Sequence, residues 1–371
     1  MALHMVTTSN KLLSYFPSSL LTKNLDWPGV EKYKEEICNF FGPWTCVIDR
    51  TETYIGPFNC EIRWPIPTYN PNFNMSYREV CLLRAIQLAD YAKSVNKKIR
   101  LYYSGGIDSG VILCSFIEAL GLEETTKIVE LAVTENSIRE NFVLWDTIVR
   151  KNNFHLVSSA IATNIISKDY ITLTGECNDQ LFGSDKMMAF MVTLGEDAIY
   201  KKWETEHIEK FLVSGVSLRG LNPKPMVEYL RLTMEAAPFK IENNYQFWWW
   251  YNFAWKWNNV ATRIMYYIPI QMAHQVRTSF EVDQFFNCPE FQLWSMKNHH
   301  DEPDRNGLPY EYKFAAKEFV SDITNDKGFL EKTKNPSLLR ALHSQFRIHA
   351  IDSNYNLISD YRDFEKYLNR N

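Results

Sequence analysis

Nowhere in the 371 residues is there a CxxC pair or a Cys/His cluster with zinc-site spacing. The seven cysteines are odd in number, which argues against a complete disulfide framework and for reduced thiols in an intracellular, cytoplasmic protein. The N-terminus lacks a basic region followed by a signal-length apolar core. No apolar run reaches 18 residues; the most aromatic one, QFWWWYNFAWKWNNVA, is interrupted by Asn and Lys, so no membrane partner is expected. A basic excess is missing too. The net charge of −4 argues against a dedicated nucleic-acid binder, although a small basic pocket for a polyphosphate remains compatible with it. Internal repeats and low-complexity tracts are absent.

What is present begins with 46% hydrophobic residues, enough to bury a sizeable core. Residues 1–74 read as an irregular segment with a possible β-hairpin, WTCVIDR pairing with CEIRWPI around GPFN. A helix follows: Ser76 and Glu79 form a capping-box signature, and Leu82, Ala85, Ile86 and Ala89 supply an apolar stripe. Strand and helix then alternate. KIRLYY, KIVELAVT, HLVSSAI and YITLTG read as strands, with SGVILCSFIEAL and IRENFVLWDTIVRKN as helices between them. This pattern predicts an α/β fold, a parallel sheet flanked by helices, over residues 75–185. Residues 186–371 read as a mainly helical, substrate-side region. Its aromatic stretch 245–267 fits a buried core helix better than an exposed binding platform. His299 and His300, in NHHDEPDRNGLP, read as solvated loop histidines rather than metal ligands.

Parallel sheets bind ligands beyond the carboxyl ends of their strands, and two unusual segments begin there. The first, YYSGGIDSG, places Ser104, Gly105, Gly106, Asp108 and Ser109 between a strand and a helix. Glycines let the backbone approach a ligand closely, and N–H groups at the positive end of a helix bind phosphate oxygens. Ser104 and Ser109 add hydroxyls, and Asp108 can hold a magnesium ion on phosphates. There is no GK[ST] and no GxGxxG, so neither a Walker A loop nor a dinucleotide fingerprint is present.

SGGxDS resembles the PP-loop of the ATP pyrophosphatase superfamily (adenine nucleotide alpha hydrolase-like fold), whose members split ATP into AMP and pyrophosphate. The second segment, LTGECNDQLFGSD, is similar to the SGExxDExFGG block of asparagine synthetases and β-lactam synthetase. The resemblance implies that Asp179 joins Asp108 on magnesium, that Glu176 lies at the reacting carboxyl group, and that Gly175 borders the nucleotide. Asn178, Gln180 and Ser184 depart from that block; Cys177, inside it, reads as a packing thiol rather than a nucleophile. Farther on, SFEVDQFFNCPEFQLWSM is similar to the family's RxPFLDxxxVxF stretch, and YKFAAKEFV with GFLEKTKNPS to KxxLRxA…RxK. That match puts Lys334 on the departing pyrophosphate, with Lys332 in the arginine's place and Lys313 as the second candidate.

The resemblance spans about residues 76–340 and implies an ATP- and Mg2+-dependent carbon–nitrogen ligase. Such an enzyme adenylates a small-molecule carboxylate, releases pyrophosphate and passes the acyl group to a nitrogen nucleophile. The glutaminase domain of full asparagine synthetases, with its cysteine after the initiator methionine, is not expected: Ala2 stands at that position. Free ammonia, a primary amine, the substrate's own nitrogen or a separate glutaminase partner would then supply the nitrogen. Two alternatives stay open: a PP-loop enzyme modifying a nucleobase or tRNA, and a nucleotide-binding protein without catalysis.

Overall fold

The structure is a computed structural model. It describes residues 10–15, 27, 29–41, 46–160, 167–214, 220–267, 281–301, 313–332 and 349–369. The chain forms two compact units, one from Pro67–Met187 with Thr278–Ser344, the other from Met1–Ile66, Met188–Arg277 and Gln345–Asn371.

The first unit is α/β. Its strands β1 (Lys98–Tyr102), β2 (Val129–Val133), β3 (His155–Ser158), β4 (Tyr170–Thr174) and β5 (Glu281–Gln284) make one all-parallel sheet in the order β3-β2-β1-β4-β5. The four expected strands are all there. The fifth is not expected: EVDQ lies in a region read as helical, and a run of four residues is too short a pattern to separate strand from loop. The order reverses at β1, whose neighbours β2 and β4 lead to opposite halves of the sheet. A topological switch point therefore lies between the carboxyl ends of β1 and β4.

Alternating residues of β1, β2 and β4 make one apolar face, with Ile99, Leu101, Leu131, Ile171 and Leu173 all buried. The opposite face carries a polar row set by register, His155–Glu130–Arg100–Thr172. The Arg100 guanidinium donates to the Glu130 carboxylate and lies 3.9 Å from the Tyr170 ring centroid; His155 Nδ1 also meets that carboxylate. A one-residue slip would carry these charges to the apolar face, so the row pins the relative heights of the strand ends.

Helix α1 (Tyr77–Ser94) begins with the expected capping box: Ser76 Oγ accepts from Glu79 N at 3.3 Å, and Ser76 N donates to Glu79 Oε2 at 2.7 Å. Its buried face is Val80, Cys81, Ala85, Leu88 and Ala89, whereas Ile86 is exposed, so the stripe is rotated from the one expected. Helix α2 (Ile107–Leu120) follows β1 and is buried over Ile107–Phe116, except for the half-buried Asp108, packing on α1 and on α7 (Phe314–Thr324). After α2 come α3 (Leu122–Ile128), then α4 (Glu135–Glu140) beyond β2, α5 (Asn178–Phe182) beyond β4, and α6 (Pro289–Asp301).

Helix α6 corrects the reading of His299. The side chain is fully buried, its Nδ1 2.8 Å from the Ser295 carbonyl oxygen, one helical turn back. His300, the next residue, is exposed; neighbours in a helix point to different faces.

In the second unit the expected hairpin does not form. Residues 46–49 lie in no strand, and Ile48 N and Arg50 N donate to the carbonyls of Trp255 and Ala254 at 3.3 and 3.1 Å. Those carbonyls end the helix Asn244–Trp255, so residues 46–50 satisfy groups that a helix terminus leaves open. The partner segment instead meets the strand Leu12–Tyr15: Leu12 N donates to Asn59 O and Glu61 N to Leu12 O. All twelve residues of Asn244–Trp255 are buried, as a core helix requires. No helix among the described residues is long and apolar enough to cross a membrane.

Candidate functional site

The two motif loops meet at the switch point. Leaving β1, the chain turns through Ser104, Gly105 and Gly106 into α2; leaving β4, it turns through Gly175, Glu176 and Cys177 into α5. Gly105 has φ +75°, and a Cβ there would lie 1.9 Å from the Ser137 carbonyl oxygen, so no side chain fits. Gly175 is required by contact between the loops: its Cβ would lie 2.8 Å from Asp108 Cβ. The hydroxyls of Ser104 and Ser109 are 3.2 Å apart, Ser104 Oγ accepts from Gly106 N at 3.3 Å, and Ser109 Oγ donates to Gly106 O at 3.3 Å. This puts two hydroxyls and the first turn of a 14-residue helix at one place, a donor set suited to an anion.

Lys313 joins the two expected metal-binding carboxylates. Its Nζ lies 2.5 Å from Asp108 Oδ1 and 2.8 Å from Asp179 Oδ1. The lysine side chain is 2% exposed, against 28% and 30% for the two aspartates, so the ammonium sits on the inner side of the pair. Burial disfavours its charge, but Asp108 and Asp179 outweigh that and hold the amine above its ordinary value. Asp108 Oδ1 also accepts from Asn178 Nδ2 at 2.7 Å, and Asn178 Oδ1 accepts from the Tyr77 hydroxyl at 3.1 Å. Burial, with the nearby Cys81 and Asp108, pushes the Tyr77 phenol well up, which keeps it a donor. The departure at Asn178 thus places an amide donor where it orients a motif carboxylate.

Glu176 is half-buried beside the end of β1, where burial and then its charge raise the Tyr102 phenol. Cys177 is buried with φ 74°, an N-cap in the left-handed region, consistent with packing. Lys332 lies against the first loop: its Nζ donates to Glu140 O at 2.5 Å, is 3.3 Å from Glu140 Oε1 and 3.5 Å from Gly105 O. Burial holds that amine below its ordinary value, against the pull of Glu140. Lys334 lies outside the described residues. In the sequence Lys313 is only the second candidate, through the YKFAAK match, and its pairing with residues over 130 positions away has no local trace.

Among the described residues no group of three or more His, Cys, Asp or Glu gathers as a metal cage. Magnesium on a nucleotide does not need one, because one or two carboxylates, phosphate oxygens and waters complete its octahedron. Asp108 and Asp179, braced from inside and partly exposed, fit that requirement. A groove of about 1290 Å3 in the second unit, bounded by Trp203, Phe239 and Ile241, contains none of these residues. No family model, curated protein or solved structure matches this chain. The site's own geometry therefore bears the functional reading.

Proposed function

We propose that this chain is an ATP-dependent carbon–nitrogen ligase of the asparagine synthetase-like class, working at the carboxyl ends of β1 and β4. The observation that carries the reading is the junction of Asp108 and Asp179 on Lys313 beside a glycine loop that admits no side chain. An anion cradle alone fits many ligands. A cradle flanked by two partly exposed carboxylates and a buried ammonium suits a metal-bound polyphosphate.

In this mechanism, Ser104, Gly105, Gly106 and Ser109 receive phosphate oxygens, with Gly175 keeping the second loop close. Asp108 and Asp179 would hold magnesium, which when bound would supply charge neutralisation at the phosphates. A substrate carboxylate attacks the α-phosphorus; the bond to the bridging oxygen breaks and pyrophosphate leaves with its electron pair, leaving an acyl-adenylate. Lys313, behind the two carboxylates, adds positive charge to that end of the site, and Lys334 is the candidate for the pyrophosphate itself. A nitrogen nucleophile then attacks the acyl carbon and AMP departs, while Glu176 accepts the proton released. Ammonia, an amine or a glutaminase partner would supply that nitrogen, and a cytoplasmic setting suits this chemistry.

The test is magnesium-dependent pyrophosphate release from ATP with a panel of amino acids and ammonium, for wild type and Asp179→Ala. Release that requires one carboxylate and drops at least about a hundredfold in the variant supports adenylation. ATP binding without release under any condition would overturn the ligase reading and favour a non-catalytic nucleotide binder.

A further inference from the structure

The Gly105–Gly106 peptide is held from both sides. Its carbonyl oxygen faces the Lys332 ammonium at 3.5 Å, and its N–H donates to Ser104 Oγ at 3.3 Å. In a trans peptide these two groups point in opposite directions, so fixing one fixes the other. A peptide between two glycines is the easiest kind to flip, because neither neighbour has a Cβ to oppose positive φ. Both bonds are long, and Ser104 is itself part of the loop. The firm anchor must come from outside.

Lys332 is such an anchor. It follows the turn Lys327–Glu331, and its Nζ lies 5.2 Å from the Phe329 ring centroid. From there it donates to the Glu140 carbonyl, at the C-terminal end of α4, at 2.5 Å, with the Glu140 carboxylate at 3.3 Å. A cation is favoured at that end of a helix. The backbone of Lys332 is tied down as well, since Lys317 on α7 donates to its carbonyl at 3.4 Å. The same α4 segment forms the floor of the loop, as the 1.9 Å and 2.8 Å clearances of a Gly105 Cβ to Ser137 O and Glu140 Cβ demonstrate.

We propose that Lys332 is a positioning residue that holds the Gly105–Gly106 peptide against flipping by clamping the first loop to the end of α4. The clamp does not rest on the proposed function.

The experiment is amide hydrogen exchange of the full chain, resolved over residues 103–107, with calorimetric titration of Mg-ATP alongside. Hydrogen bonds to charged groups are strong enough that Lys332→Met should speed exchange in that segment by about tenfold or more. Lys332→Arg, which keeps a cation there, should retain most of the protection. Unchanged exchange in Lys332→Met overturns the clamp. Should that variant also lose protection in β1 and β4, Lys332→Arg decides: protection recovered over 103–107 supports the clamp, and a loss there as large as in Lys332→Met overturns it. Wild type that fails to bind Mg-ATP would count against the proposed function, while the exchange data would still judge Lys332.

Discussion

The two strand-end loops do different physical work. The first, 103–109, offers mainly backbone and hydroxyls, and its shape depends on a glycine with φ +75° pressed onto the Ser137 carbonyl. The second, 175–179, offers side chains, Glu176, Asn178 and Asp179, on a backbone that tolerates a non-glycine residue, Cys177, at φ 74°. Both contain a left-handed residue, yet space at the Cβ separates them. At Gly105 a side chain would meet backbone; at Cys177 it has a buried place of its own. A phosphate-sized ligand needs direct access to N–H groups, so bulk must go; a carboxylate needs a fixed stem, so packing must stay.

Gly105→Ala is the largest expected break in this contrast. The new methyl must displace Ser137 O from 1.9 Å and also strains φ, so the loop cannot keep its shape. Overpacking against backbone together with left-handed strain should cost about 3 kcal/mol or more. A urea titration giving a midpoint equal to wild type would refute the loop geometry described.

Lys313→Met comes next, because it removes the link between the loops. Two carboxylates would then share a half-buried site without a cation, at a cost of about 2–4 kcal/mol, reduced from the fully buried case by their partial exposure. The effect has a pH signature. The Lys313 amine is raised above its ordinary 10.5, so the folded chain holds this proton more tightly than the unfolded chain does. Its contribution is complete below pH 10.5 and is lost as pH rises through the higher folded value. The stability gap between wild type and Lys313→Met should accordingly be flat from about pH 8 to 10 and narrow above that. A gap that already narrows between about pH 8 and 10 would assign the stabilisation to another group.

Cys177→Gly should have the smallest effect. It relieves left-handed strain of about 1 kcal/mol and forfeits burial of a small apolar side chain of similar worth. Thermal unfolding within a few degrees of wild type is expected. A large destabilisation would mean that the thiol carries more than packing.

Patterns spanning a few residues were legible early. The Ser76/Glu79 box, the four alternating strands and the two loop motifs depend on neighbours within a turn or a strand, and all appear where their spacing put them. Patterns that depend on distant residues were not. Of the expected stripe Leu82, Ala85, Ile86 and Ala89, α1 fully buries only the two alanines, since the faces meeting α2 and α7 are chosen by those helices. Val282 and its neighbours became a fifth strand because β4 had an open edge to pair. His299 turned inward with its helix.

By itself, then, the sequence determined that a strand ends in a glycine loop entering a helix, that a second loop carries Glu176 and Asp179, and that the sheet between them is parallel. Steric freedom, capping and period-two alternation are local properties, readable from adjacent residues. Tertiary structure alone decided that Asp108, Asp179 and Lys313 share one point, that Asn178 aims at Asp108, and that Lys332 reaches the first loop. Those contacts join residues up to 227 positions apart. Their energies come from burial and proximity, which exist only once the sheet has brought the strand ends together.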